Sequence, residues 1–137
     1  MVNFERKETY SLQDLIEILR ILRAPGGCPW DRAQTHLSDR RNFLEEAYEA
    51  AEAFDRDDPA LMCEELGDML FAAVRVASTL ERHPEQALHA ACEKFIRRFT
   101  AMEQTALAED RPLETLSKDE LLAGWNAQKR VVPGGEQ

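Results

Sequence analysis

Apolar residues recur along this chain at three- and four-residue steps and nowhere in sustained alternation, a pattern that predicts helices throughout and no strand. The first helix opens near Ser11, where Ser-Leu-Gln-Asp reads as an N-cap with an acid three residues on. Tyr10 and Leu15 are spaced there as a hydrophobic staple. LIEILRIL carries the helix to the breaker Ala-Pro-Gly-Gly, and GGCPWDRAQTH then reads as a structured loop. A second helix is expected over residues 38–56. The third is capped by Asp58, has Pro59 at its first position and runs toward Pro84. The fourth covers residues 84–105. The fifth opens at Ser117, where Ser-Lys-Asp-Glu is a capping box flanked by Leu116 and Leu121. After Arg130 the tail VVPGGEQ is expected to fray. With no repeat, low-complexity run or long linker, the expectation is one all-α domain over residues 1–137.

Composition narrows the class of protein. A chain of 137 residues can bury a core of its own, and 44% hydrophobic with 31% charged residues fits a globular protein rather than a disordered one. A net charge of −9 argues against a broad nucleic-acid-binding surface, because a phosphate backbone would be repelled. No segment approaches the length of a membrane span, and the opening residues are not expected to act as a signal peptide. Cys28, Cys63 and Cys92 are far apart and form no CxxC pair. They are expected to be reduced thiols of a cytoplasmic protein, not a zinc site.

The chemistry lies in LEEAYEAAEAFDRDDPALMCEELGDML, which holds two groups of acids either side of a turn. Glu46 and Glu49, three apart, are neighbours on one helix face. The stripe Phe43, Leu44, Ala47, Ala50, Ala51 and Phe54 points largely the other way and is the expected core face. Taken alone, Glu45, Glu46, Glu49 and Glu52 could be a solvated surface. The next helix breaks that reading. Glu65 and Asp68 are again three apart, on a helix that is apolar nearly all round and is expected to be buried. The turn Arg56-Asp57-Asp58-Pro59 folds the two helices antiparallel and can bring the acid pairs together. Clustered carboxylates repel, so they must bind protons or gather cations. Oxygen ligands without His or Cys suit Mg²⁺ or Mn²⁺. A di-iron site would need Glu-x-x-His, which neither EEAYE nor EELGD supplies.

Glu45-Glu46-x-x-Glu49 followed after a turn by Glu65-x-x-Asp68 resembles the EExxE…ExxD signature of the MazG-like nucleotide pyrophosphohydrolases, in the all-α NTP pyrophosphatase superfamily. Gly27-Cys28-Pro29-Trp30-Asp31 with Gln34-Thr35-His36 is similar to that family's GCPWD…QTH segment. Lys94-Phe95-Ile96-Arg97-Arg98-Phe99 resembles its KFxRRF helix, and Trp125 with Lys129 its final helix. The resemblance runs from Leu12 to Lys129. It implies hydrolysis of nucleoside triphosphates between the α and β phosphates, with Mg²⁺, to a monophosphate and pyrophosphate. By the same token Glu46, Glu49, Glu65 and Asp68 are the implied metal ligands. Glu45 is implied as an acid behind them or a base for the attacking water. Lys94 and Arg98 would grip the triphosphate, while Asn42, Trp125 and Lys129 would serve the nucleotide. Many family members carry two such domains, and roles that depend on the second do not transfer.

The residues themselves leave alternatives open. With no GxxxxGK[ST] loop, metal ions must carry most of the phosphate charge. Lys94 and Arg98, four apart, flank the expected core stripe Leu88, Ala91, Cys92, Phe95, Phe99 and Met102, and could be ordinary boundary residues. Trp125 shares a face with Leu121 and Leu122, which suits either core packing or base stacking. Trp30 is expected mainly to anchor its loop. Rival readings are a relative specialised for a pyrimidine deoxynucleotide or another phosphorylated metabolite, and a non-catalytic helical adaptor stabilised by a cation. Because the third helix needs apolar neighbours on every side, a homodimer or dimer of dimers is expected.

Overall fold

The computed structural model describes residues 2–80 and 82–131, which form six α-helices, one 3-10 turn and no strand. The tail expected to fray lies, beyond Val131, outside the described residues. The helices are α1 (Leu12–Arg23), α2 (Pro29–Ala33), α3 (His36–Asp55), α4 (Pro59–Thr79), α5 (Pro84–Ala108) and α6 (Lys118–Val131), with the 3-10 turn at Leu113–Thr115. The chain is all-α, as its apolar spacing predicts. It divides into two compact units, Met1–Pro84 and Glu85–Gln137.

In the first unit the helix ends follow local chemistry. Ser11 and Asp14 satisfy each other's backbone N–H groups at the start of α1, the reciprocal arrangement of a capping box. Asp58 Oδ1 accepts from the N–H groups of Ala60 and Leu61, so α4 begins where the sequence places it. Asp57, at φ 53°, supplies the left-handed residue that reverses the chain between α3 and α4. α4 packs along α3 and also touches α1.

Two local expectations are corrected. The loop GGCPWDRAQTH contains the short helix α2, started by Pro29. α3 begins at His36 rather than Ser38, because Thr35 is its N-cap and Ser38 the residue that reciprocates. The tight approach into α2 depends on Gly27. A Cβ there would lie 2.3 Å from the carbonyl oxygen of Leu22, the same oxygen that accepts from the Cys28 N–H.

The core face of α3 is also corrected. Its buried residues are Asp39, Ala50 and Ala53, whereas Phe43, Leu44, Ala51 and Phe54 are exposed. The physical reason is steric: α3 lies against α4 through small and polar residues, which leaves its large apolar face turned outward. α4 likewise buries only Ala72 and Val74, with Leu66 and Leu70 exposed, so it is not covered all round within one chain.

In the second unit, Ser117 and Glu120 form the expected cap of α6, and Arg111 pairs with the same Glu120 at 2.6 Å. Met102 and Ala106 are the buried residues of α5, while Leu88, Cys92, Phe95 and Phe99 of the expected stripe are exposed. An apolar recess lined by Phe95, Phe99, Met102, Leu113, Leu121 and Trp125 occupies this unit.

Candidate metal and nucleotide site

Three of the four implied metal ligands converge. Carboxylate oxygens of Glu46 and Glu49, from α3, and of Glu65, from α4, lie within 4.8 Å of one another. Opposed ligands of one octahedral Mg²⁺ stand about 4.2 Å apart, so small rotamer adjustments would let the three oxygens share an ion. The donor set is all carboxylate, partly exposed, and free of His and Cys, which fits a hard divalent cation. Asp68 is exposed and lies outside this tight group, but close enough to act on Glu65 electrostatically.

The charge imbalance shows in Glu65. Partial burial pushes its carboxyl above the ordinary value of 4.5, and Glu49, Asp68, Glu64 and Glu46 push it further the same way. Among the described residues, the charged groups acting on Glu65 are these four acids. The site is therefore electrostatically unfinished, and a divalent cation would relieve it.

Around the three acids, Asn42 Nδ2 donates to Glu46 Oε1 at 2.8 Å from one turn earlier on α3. Glu45 points elsewhere, with Oε1 accepting from Arg41 Nε at 3.0 Å. Glu52 pairs with Arg56. The remaining implied residues belong to the second unit. Lys94 and Arg98 are half-buried on one side of α5, whereas Arg97 is exposed. Trp125 is half-buried against Phe95, ring centroids 5.3 Å apart, and Lys129 Nζ sits 6.0 Å from the centre of the Trp125 ring.

Reading the sequence alone misses the polar cluster beneath the Trp30 segment. Asp39 of α3 is only 2% exposed and Asp31 of α2 8%. Arg75 of α4 reaches Asp31 at 3.7 Å, and its guanidinium lies 5.4 Å from the ring centres of both Trp30 and Phe71. Trp30 thus anchors its segment, as expected, while keeping 57% of its surface exposed. Arg23 Nη1 donates to the carbonyls of Asp31 and Gln34, tying the same segment to α1. Asp39 falls seven residues before Glu46 and Arg75 seven after Asp68, two helical turns each way along the acid face. That spacing is the signal the sequence held.

Comparison with known proteins bears on this arrangement directly. A family model described as the MazG nucleotide pyrophosphohydrolase domain matches residues 34–102, half of the chain, and spans all five acids with Lys94 and Arg98. The chain belongs to the MazG family. It is 40% identical over 90 residues to the nucleoside triphosphate pyrophosphohydrolase/pyrophosphatase MazG of Thermotoga maritima, covering 63% of this chain and 35% of that protein. To the nucleoside triphosphate pyrophosphohydrolase of Escherichia coli K12 it is 32% identical over 120 residues, 84% of this chain and 43% of that protein. A Bacillus subtilis relative, the uncharacterized protein YabN, is 34% identical over 118 residues, 83% of this chain and 23% of that protein. The MazG-type chain thus spans less than half the length of these relatives. Among its described residues, no helix is long and apolar enough to cross a membrane.

Proposed function

We propose that this MazG-family chain is a cytoplasmic hydrolase of nucleoside triphosphates that cleaves the bond between the α and β phosphates. Its products are then a nucleoside monophosphate and pyrophosphate. The observation that carries the reading is the convergence of Glu46, Glu49 and Glu65 within 4.8 Å on two antiparallel helices. The printed activities of the Thermotoga and Escherichia relatives support it.

Mg²⁺ is the proposed cofactor, with Mn²⁺ as a substitute. Such a cation supplies positive charge against the phosphate oxygens and makes water more acidic at the site. Glu46, Glu49 and Glu65 hold it, with Asp68 beside them as the fourth ligand. Asn42 fixes the carboxylate of Glu46 and, on the reading taken from the family motif, also meets the nucleotide. Glu45 serves as an acid behind the ligands or accepts the proton of the attacking water. Its exposed pairing with Arg41 costs little to break. Water oxygen bonds to the α phosphorus as the bond to the bridging oxygen breaks, and pyrophosphate leaves. Lys94 offers a point charge and Arg98 a planar fork to the phosphates, while Trp125 and Lys129 serve the nucleotide.

The active form is proposed to be a homodimer or a dimer of dimers. Leu44, Tyr48, Phe54, Leu66 and Leu70 are exposed on the two helices that carry the acids, and a second copy would cover them.

Metal-stripped protein tests the reaction. Nucleoside triphosphate turnover should be absent in excess chelator and restored by Mg²⁺ or Mn²⁺. Full turnover in chelator, with residual metal measured as negligible, would refute it.

A further inference from the structure

The antiparallel contact between α3 and α4 has one register, and its charges alternate in blocks. Glu49 stands opposite Glu65. Stepping three residues along each helix places Glu46 opposite Asp68, and seven more place Asp39 opposite Arg75. Two turns of helix, about 10 Å, therefore separate the acid group from the one arginine on that face of α4. The Arg75 guanidinium is engaged by Asp31 at 3.7 Å, by the attraction of Asp39 and by the rings of Trp30 and Phe71.

We infer that the Asp31–Asp39–Arg75 cluster is a positioning device that sets the α3–α4 register on which the converging acids Glu46, Glu49 and Glu65 depend, and keeps Arg75 from occupying the cation's place. The apolar residues buried on these two helices are Ala50, Ala53, Ala72 and Val74, and three of the four are alanines, which specify register weakly because neighbouring alanines are sterically alike. A one-turn slip would cost those alanines little while separating Glu65 from Glu49. It would also draw Arg75 away from both Asp31 and Asp39, leaving Asp39, 2% exposed, with the attraction of Arg23 alone, which is unfavourable. Buried polar groups fixing register is the best-attested role of such costly contacts. Asp39 Oδ2 and Arg75 Nε make no hydrogen bond to protein, so the cluster is not optimised for stability alone.

The inference rests on the metal reading above, and Mn²⁺ affinity separates the two. Metal-stripped parent protein, the double variant Asp39→Leu/Arg75→Met and the single variant Arg75→Lys are titrated with Mn²⁺, the free ion being read by electron paramagnetic resonance. Circular dichroism follows helix content and melting. The double variant removes the Asp39 and Arg75 charges together but leaves Asp31 without its ion-pair partner, so it is expected to stay helical with a lowered melting temperature. Its Mn²⁺ affinity should nonetheless fall by about tenfold, the scale typical of residues that support metal ligands. Arg75→Lys keeps the charge but loses the fork and the ring stacking, and should fall by a smaller factor of about three. A folded double variant that binds Mn²⁺ within twofold of the parent overturns the inference. Should the double variant not fold, Arg75→Lys decides, and an unchanged affinity there overturns it equally. A parent that binds no Mn²⁺ overturns the metal reading, and this inference with it.

Discussion

Asn42 and Glu46 face each other one helical turn apart on α3, the Asn42 amide donating to the Glu46 carboxylate at 2.8 Å. This hydrogen bond ties down a carboxylate that lies in one group with Glu49 and Glu65, so a neutral side chain fixes the orientation of a charged one. Asn42→Ala should leave the fold intact and weaken Mg²⁺ activation, raising the Mg²⁺ concentration for half-maximal turnover by about tenfold. Unchanged Mg²⁺ dependence would leave Asn42 no part in orienting Glu46.

Replacing any one acid by its amide separates ligand from bystander. Glu46→Gln, Glu49→Gln, Glu65→Gln and Asp68→Asn should each remove most activity with helix content preserved. Glu52→Gln and Glu64→Gln are the controls, since Glu52 pairs with Arg56 and Glu64 acts on Glu65 only at a distance. Controls as inactive as the four would show that total negative charge, rather than placement, matters.

The pH dependence of the metal-free protein has a definite sign. Burial and neighbouring acids raise the Glu65 carboxyl above its ordinary 4.5, so the folded state holds that proton more tightly than the unfolded one. Its contribution is fully present below pH 4.5 and is lost as pH rises through the higher folded value. Glu120 has the opposite sign in a lower window. Backbone and side-chain donation from Ser117, with Arg111, depresses it to about 2, and its contribution is lost as pH falls below 4.5. Melting temperatures of metal-free protein should therefore decline above about pH 5, and Glu65→Gln should flatten that decline. Added Mg²⁺ should raise the melting temperature more at about pH 7.5 than at about pH 5, because only the ionised acids bind it. An equal Mg²⁺ effect at both values would contradict the charge argument.

For the second unit, Lys94→Ala and Arg98→Ala should raise KM or lower kcat for a nucleoside triphosphate by about tenfold or more, with Arg97→Ala milder. The burial pattern separates them, Lys94 and Arg98 being half-buried and Arg97 exposed. Equal losses at all three would point to general electrostatic attraction.

Much of this molecule is legible in its sequence where short-range chemistry decides the outcome. Ser11 with Asp14, Asp58 with Pro59, and Ser117 with Glu120 end helices through contacts within three residues, so local pattern suffices. Glu46, Glu49 and Glu65 are brought together by periodicity and one turn, which is also local. Burial was harder to read. Phe43, Leu44 and Phe54 look like a core stripe, yet α3 turns Asp39, Ala50 and Ala53 inward, because the helix partner available within the chain admits only small or paired side chains. Asp39 and Arg75 escape a reading of the sequence for the same reason, as a buried charge declares itself only when its partner on another helix is known.

The products of the reaction test the central claim most directly. Purified protein with Mg²⁺ is offered each of a panel of ribo- and deoxynucleoside triphosphates, and monophosphate, diphosphate, pyrophosphate and orthophosphate are resolved, with Glu65→Gln as the blank. The account predicts monophosphate and pyrophosphate in equal amounts from at least one substrate, and none from the variant. Diphosphate with orthophosphate, no turnover across the whole panel, or a Glu65→Gln variant as active as the parent would contradict it.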